Sequence, residues 1–265
     1  VRHAAAQFRE VSSAEGLVEA LARDELDAIV YPDLGMTSRL QLAAALRLAP
    51  VQCNGLGHPV TSGLATMTHA LSSALMEPAD GDGHYTEKLV RLPNTASRYS
   101  WRYAALAVAA AGRPERSAAR VRFLCAQNLQ KYLPQHDRLF AEIAAEAPAA
   151  EFHFIADASP FATAMMSDRL KGAFARRTLD AAEFCVFHPR LDRRGYFALN
   201  LACDVFLDTP LWSGNNTAHE AIACGLPVVT WPGPMMRGRH AVAILARIGC
   251  IETIAADFDD YVRIA

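Results

Sequence analysis

The sequence predicts an α/β fold in two lobes, each built on a Rossmann-like parallel sheet. Short apolar strands alternate with helices of ten or more residues along most of the 265 residues, a pattern typical of a parallel sheet with helices on both faces. A polar, arginine-rich stretch at residues 114–119 interrupts the alternation. We therefore predict a first lobe over residues 1–112 and a second lobe over residues 113–265.

The first lobe begins with a helix that Ser12, Ser13 and Glu15 can cap. An apolar run, an amphipathic stretch and three further short apolar runs follow. The predicted elements are helix 12–24, strand 27–31, helix 37–48 and strands 50–53, 71–73 and 89–92. The loop at residues 55–63 combines glycines with a rigid X-Pro step, which is typical of a loop that approaches a ligand closely.

The second lobe has a regular alternation of strands and helices. Pro134 can begin one helix and Gly225 can end another, because proline fits the first helical turn and glycine tolerates the left-handed residue after the last turn. The predicted strands are 121–125, 151–155, 183–187, 204–207 and 227–230. The predicted helices are 135–147, 161–177, 193–202, 217–224, 239–248 and 257–265. Ligands of such sheets bind beyond the carboxyl ends of the strands.

The composition favours a cytoplasmic enzyme. The formal net charge is −2 and there is no long run of one sign, which argues against nucleic acid or an anionic membrane as the main partner. The apolar run at residues 103–112 is too short to span a bilayer, and the start of the chain shows no signal peptide. The six scattered cysteines form no C-x-x-C pair, so we expect reduced thiols instead of disulfides or zinc ligands.

The most informative stretch is residues 203–233. A strand ending at Asp208 is followed by the polar loop 213–217 and a short helix. A glycine-containing loop at a helix N-terminus leaves backbone N–H groups unpaired and suits a phosphate. Glu220 follows Asn216 by one turn, where a carboxylate can hold ribose hydroxyls. Together these features indicate a nucleotide-sugar. The alternative is an ordinary strand-loop-helix unit with an Asn or Thr N-cap, in which Asp208 simply caps the next turn.

Four blocks of sequence resemble the O-linked N-acetylglucosamine transferase family. The stretch above has the family's D-V-x-L-D-T, N/S-G-x-x-T and G-x-P-x-V-T-x-P-G elements. The other blocks are residues 46–52 (LRLAPVQ), 56–63 (LGHPVTSG) and 84–93 (HYTEKLVRLP). Residues 187–191 (FHPRL) look closer to the bacterial branch than to the animal one. The resemblance implies a glycosyltransferase of the two-lobed GT-B architecture, with the first lobe incomplete in this chain.

The resemblance also implies roles for individual residues. Lys131 and Asn128 match the family's N/Q-L-x-K segment at the diphosphate, so Lys131 is the expected catalytic cation. His58 is the second expected catalytic residue, and it lies with Gly57 in the block near the sugar and diphosphate. The remaining expected donor-binding residues are Arg190, Asn215, Asn216, Thr217 and Glu220. The alternative interpretations are a solvated loop lysine at Lys131 and a structural turn at His58.

The implied reaction is inverting transfer of a sugar, N-acetylglucosamine, from a UDP-sugar to a Ser or Thr hydroxyl of a protein. Alternatives are UDP-glucose, GDP-fucose (as in the related SPINDLY proteins) or an Asn acceptor. A nucleotide-sugar epimerase would need acid/base carboxylates between the lobes, and the sequence shows no convincing pair. A non-catalytic nucleotide-sugar-binding fragment is the last alternative. The family's candidate base lies mostly upstream, and Gln7 stands at its local counterpart, where an amide cannot accept a proton.

No metal or other cofactor is expected. The sequence has no H-x-x-x-H motif, no D-x-D motif near the polar loop at residues 213–217, and no clustered set of Cys and His residues. The expected partners are the nucleotide-sugar and a protein or peptide acceptor. Family members carry tetratricopeptide (TPR) repeats upstream, and this sequence shows no 34-residue repeat. Because it starts with Val1 and stops within a predicted helix, we expect a piece of a longer protein, whose activity by itself is in question.

Overall fold

The computed structural model describes residues 5–100, 105, 108, 109 and 119–265. The fold is α/β with two parallel sheets, which confirms the predicted class. The chain divides into two compact units, Val1–Ala96 and Ser97–Ala265. The lobe boundary predicted between residues 112 and 113, and most of the polar stretch at 114–119, lie outside the described residues.

The first unit contains a four-stranded parallel sheet in the order β1-β2-β3-β4. Its strands are Ala28–Tyr31 (β1), Val51–Asn54 (β2), His69–Ser73 (β3) and Lys88–Leu92 (β4), with a 3₁₀ helix at Gly81–His84. Helices α1 (Ala14–Arg23) and α2 (Ser38–Ala44) pack on a core that includes Ile29, Tyr31 and Ala43. Ser13 caps α1 as predicted, since its hydroxyl oxygen accepts from the Gly16 N–H at 3.0 Å.

Helix α2 ends at Ala44, earlier than the predicted end at residue 48. The fully buried amide of Gln52 explains the difference. Its Nε2 donates to the Leu46 carbonyl at 3.1 Å, and its Oε1 accepts from the Leu48 N–H at 3.0 Å. These bonds satisfy backbone groups outside the helix, so a tertiary contact overrides the amphipathic pattern.

The second unit contains a five-stranded parallel sheet in the order β7-β6-β5-β8-β9. Its strands are Val121–Cys125 (β5), Ala150–Ile155 (β6), Cys185–His188 (β7), Val205–Leu207 (β8) and Val228–Val229 (β9). Strands β6 and β7 extend the sheet on one side of β5, and strands β8 and β9 extend it on the other side. The reversal at β5 and β8 is a topological switch point, and ligands of open α/β sheets bind in the crevice beyond it.

Helices cover both faces of this second sheet. They are Arg138–Glu146 (α3), Pro160–Ala175 (α4), Ala181–Phe184 (α5), Arg193–Ala202 (α6), Asn216–Ala223 (α7), His240–Ile248 (α8) and Phe258–Ile264 (α9), with 3₁₀ helices at Leu129–Lys131, Pro134–His136 and Met236–Gly238. Phe123 and Phe152 belong to the core on one face, and Leu124 and Phe206 to the core on the other. This burial on both faces explains the nearly continuous apolar strands.

Two predicted boundaries in this unit are wrong. Residues 183 and 184, predicted as strand, complete helix α5, because the Asp180 carboxylate accepts from the Ala182 N–H at 2.9 Å and caps a helical turn there. Pro134 starts a 3₁₀ helix, and the α-helix begins only at Arg138. Gly225 follows α7 with φ +79°, the left-handed conformation predicted for it. No helix among the described residues has the length and apolar character needed to cross a membrane.

Candidate functional site

A cavity of about 420 Å³ opens at the carboxyl ends of β5, β6 and β7, beside the first turn of α7. Four of the predicted donor-binding residues line it: Asn128, Arg190, Thr217 and Glu220. They come from separate parts of the sequence and meet because all the strands are parallel and end at the same edge of the sheet. The cavity therefore lies where the strand order predicts a ligand site.

Lys131 is linked to this cavity through the side-chain amide of Gln127. The Lys131 ammonium donates to Gln127 Oε1 at 3.0 Å, and Gln127 Nε2 donates to Thr217 Oγ1 at 2.6 Å. Lys131 Nζ also makes a long contact of 3.5 Å with the Ser213 carbonyl. Gln127 and Thr217 line the cavity, whereas Lys131 lines a separate, smaller cavity together with Asp208. The structure thus joins Lys131 and Thr217 across two neighbouring strands.

Burial affects the charge on Lys131. Desolvation lowers the pKa of the partly buried ammonium, and the negative charge of Asp208 partly offsets this by raising it. The cation is therefore held in a poorly solvated environment, where its interaction with a developing negative charge is stronger than in water.

Gly214 lets the loop after β8 pass close to Gln127. A Cβ at this position would lie 2.1 Å from Gln127 Nε2 and 2.1 Å from Thr217 Oγ1. Asn215 is the N-cap residue of α7 and makes no capping hydrogen bond with its side chain. Its buried Oδ1 has no hydrogen-bond partner among the described residues, and Asn216 is exposed. The two asparagines are therefore not used as ordinary side-chain caps.

Glu220 is oriented by Tyr99. The Tyr99 hydroxyl donates to Glu220 Oε1 at 3.0 Å, and its ring stacks on His219 with a centroid distance of 4.9 Å. Burial first, and then the Glu220 carboxylate, raise the pKa of Tyr99 to about 12. Tyr196, which lines the cavity, has its pKa raised by the same two causes. Both phenols therefore remain neutral hydrogen-bond donors at physiological pH.

The other two predicted residues, His58 and Gly57, lie in the first unit. His58 lines a cavity of about 140 Å³ together with Gln41 and Thr61. The backbone of Gly57 packs tightly within the unit, since a Cβ there would lie 2.1 Å from Asp33 Oδ1. This packing gives Gly57 a structural reason to be glycine.

Sequence reasoning missed several residues at the cavity. Gln127, Asp157 and Arg193 line it, and each follows the carboxyl end of a strand, so their position in the chain could have identified them. Tyr99 carries no such signal, because its partner Glu220 lies 121 residues away. Among the residues that the structure describes, no group of three His, Cys, Asp or Glu side chains is arranged to hold a metal ion.

Comparisons with known proteins find similarity to glycosyltransferases. Residues 183–265 match the model of glycosyl transferase family 41. The chain is 27% identical over 252 residues to the probable UDP-N-acetylglucosamine–peptide N-acetylglucosaminyltransferase SPINDLY of Solanum lycopersicum, covering 95% of this chain and 27% of that protein. It is 22% identical to the similarly named SEC protein of Arabidopsis thaliana, covering 94% of this chain and 26% of that protein. The chain thus spans about a quarter of the length of these relatives.

The structure is also similar to a solved bacterial enzyme. A mutant of the Thermobaculum terrenum O-GlcNAc transferase superposes with a TM-score of 0.83 at 27% sequence identity, covering 99% of this chain and 49% of that one. The two parallel-sheet units therefore correspond to the GT-B architecture predicted from the sequence.

Proposed function

We propose that this chain is part of the catalytic region of an O-linked N-acetylglucosamine transferase, to which it is similar, and that it supplies the donor site of a glycosyltransferase that moves N-acetylglucosamine from a UDP-sugar to a Ser or Thr hydroxyl of a protein. The two relatives described above carry names for this reaction with a peptide acceptor. The full-length protein would be a cytoplasmic enzyme with TPR repeats in another part of its chain.

One observation carries the proposal: Gln127, Thr217 and Glu220 line one cavity, and the ammonium of Lys131 is hydrogen-bonded to the Gln127 side chain. In the proposed complex, Thr217 and the backbone N–H groups of the first turn of α7 hold the diphosphate, Glu220 holds the ribose, and Arg190 faces the base or the diphosphate. A helix N-terminus and preorganised donors suit a phosphate group.

Catalysis would depend on charge stabilisation of the leaving group. When the bond between the sugar and the diphosphate breaks, negative charge grows on the diphosphate oxygen. The Lys131 ammonium, held by Gln127 at 3.0 Å, would stabilise this charge without reorganising. The base that takes the proton from the acceptor hydroxyl is assigned to another part of the full-length protein, and we propose that the fragment alone binds the donor without transferring its sugar.

The test is a donor panel on the full-length protein with peptide acceptors. We expect UDP release and a peptide mass increase of one N-acetylhexosamine with UDP-N-acetylglucosamine, and weaker or no transfer with UDP-glucose or GDP-fucose. Preference for GDP-fucose would assign the same fold to another donor. UDP binding without turnover of any donor would favour a non-catalytic nucleotide-sugar-binding protein.

A further inference from the structure

The carboxylate of Asp208 is the centre of a buried network that the proposed donor site does not yet use. Asp208 follows β8 and is 2% exposed. Its Oδ2 accepts from Ser213 Oγ at 2.6 Å and from Thr230 Oγ1 at 2.8 Å, and its Oδ1 accepts from the Gly214 N–H at 2.8 Å. Three hydrogen-bond donors therefore converge on one carboxyl group: two from the loop at residues 213–217, and one from Thr230, which follows β9.

The hydrogen-bond directions around Asp208 fit its ionised form. Ser213 Oγ accepts from the Ala241 N–H at 2.8 Å, so its proton points to Asp208 Oδ2. The Gly214 N–H can only donate, and it occupies Oδ1. Burial raises the pKa of Asp208, and the hydrogen bonds from Ser213, Gly214 and Thr230 together with the charge of Lys131 oppose that effect. All three donors point at the carboxyl oxygens, so the ionised form, which only accepts, fits the site.

The positive charge that opposes this negative charge is the partly buried ammonium of Lys131. The Lys131 ammonium contacts the carbonyl of Ser213, the residue whose hydroxyl binds Asp208. A buried cation without an opposing charge is costly. Asp208 thus affects two parts of the proposed diphosphate site: it holds the Ser213–Gly214 loop through hydrogen bonds, and its negative charge acts on Lys131.

We propose that Asp208 is a positioning residue of the donor site, which fixes the Ser213–Gly214 loop and balances the charge of Lys131 while touching no substrate atom itself. The inference rests on the proposed donor site. The simpler interpretation, that Asp208 caps the next turn, would explain the conformation of the loop but not an effect on the charge of Lys131, which lines the same small cavity.

The charge balance has a pH signature. Loss of the Asp208 charge lowers the pKa of Lys131, because the carboxylate opposes the effect of burial on that ammonium. The ammonium would then deprotonate at a lower pH, and the affinity for a diphosphate would fall earlier as pH rises. A residue that only shapes the loop would weaken binding equally at all pH values.

Two histidines and a tyrosine near Lys131 remain uncharged over the alkaline pH range. Burial lowers the pKa of His136, and it lowers that of His240 to about 4, so both are neutral. Burial raises the pKa of Tyr261 well above its ordinary value. Asp137 is held in a salt bridge by Arg169 at 2.6 Å. The titratable and charged groups that the segment before α3 and helices α4, α8 and α9 place around Lys131 are His136, Asp137, Arg169, His240 and Tyr261.

The experiment is calorimetric titration of UDP into the full-length protein and its D208N variant. It runs from about pH 7.5, where a phosphate with a second pKa near 6 is ionised, to about pH 10, near the ordinary pKa of lysine. We expect D208N to bind UDP about tenfold more weakly at the lower pH, as loss of a buried hydrogen-bonding partner does. Its affinity should also begin to decline at a lower pH than that of the wild type.

Two further variants separate the roles. Ser213→Ala keeps the charge and removes one bond to Asp208, so it should weaken UDP binding with the wild-type pH dependence. Asp204→Asn, at the opposite end of the same strand, should change neither property. A D208N profile parallel to that of the wild type overturns the inference, and so does an S213A profile displaced to lower pH. A wild type that does not bind UDP instead overturns the donor site itself, and the inference with it.

Discussion

At the scale of single residues, Lys131 carries the largest predicted effect on turnover. We expect Lys131→Ala in the full-length protein to reduce turnover on the order of a hundredfold or more, as loss of one preorganised charge-stabilising group does. UDP affinity should fall less, because the extra charge appears only as the bond breaks. Lys171, which is exposed and pairs with Asp168 at 2.9 Å, provides the control: Lys171→Ala should be neutral. Near-normal turnover of K131A would exclude the assigned role.

A second prediction concerns the space around Gly214, which leaves no room for a Cβ atom. A Cβ at this position would lie 2.1 Å from both Gln127 Nε2 and Thr217 Oγ1, so Gly214→Ala must separate the two side chains that connect Lys131 with the cavity. We expect UDP affinity to fall at least about tenfold, in line with the loss of a buried hydrogen bond. Gly83→Ala is the matched control, because a Cβ there meets nothing within 4 Å. Wild-type UDP affinity in G214A would contradict this account of the loop.

At the scale of elements, a buried carboxylate holds the loop at residues 57–63. Glu87 accepts from Thr61 Oγ1 at 2.7 Å, from the Ser62 N–H at 2.8 Å and from the Ser62 hydroxyl. Burial tends to raise the pKa of Glu87, but the hydrogen bonds from Ser62 and Thr61 outweigh it, and the pKa is lowered. These bonds keep the segment that contains His58 in one conformation.

The lowered pKa makes the stability of this loop dependent on pH. A carboxyl group whose pKa is lower in the folded state stabilises it fully above its unfolded pKa, about 4.3 for glutamate, and loses this contribution as pH falls through the folded value. We expect amide hydrogen exchange at Ser62 to accelerate below about pH 4, after correction for intrinsic exchange. Glu87→Gln should show fast exchange already at neutral pH. Equal protection of Ser62 in E87Q and the wild type would show that Glu87 does not hold the loop.

Local patterns predicted most of the elements but not their tertiary overrides. The apolar run at β5 and the capped helix at α1 have the predicted bounds within two residues. Helix α2 is shorter than its amphipathic pattern because of the distant Gln52 side chain. Similarly, the loop motif at residues 213–217 identified Thr217 from the sequence. The role of Gln127, whose amide joins Thr217 to Lys131, depends on the pairing of β5 with β8, which the sequence does not reveal.

At the scale of the whole molecule, donor binding is expected to need no metal ion. The cations that would meet the diphosphate are side chains, Lys131 and the arginines Arg190 and Arg193 at the cavity, and the loop adds backbone donors at a helix N-terminus. We expect UDP affinity to be the same with and without EDTA. An affinity that collapses on chelation and returns with Mg²⁺ would mean that a divalent ion holds the diphosphate, and that the assigned role of Lys131 is incomplete.

The central claim is that the cavity at the switch point of the second sheet binds the UDP part of the donor. A crystal structure of the full-length protein with UDP tests it most directly. The account predicts the diphosphate within hydrogen-bond distance of Thr217 and the backbone N–H groups of the first turn of α7, and the ribose hydroxyls on Glu220. Ordered UDP elsewhere, for example in the groove between α3 and α9 at Arg138 and Arg263, with the predicted cavity filled only by water, would contradict it.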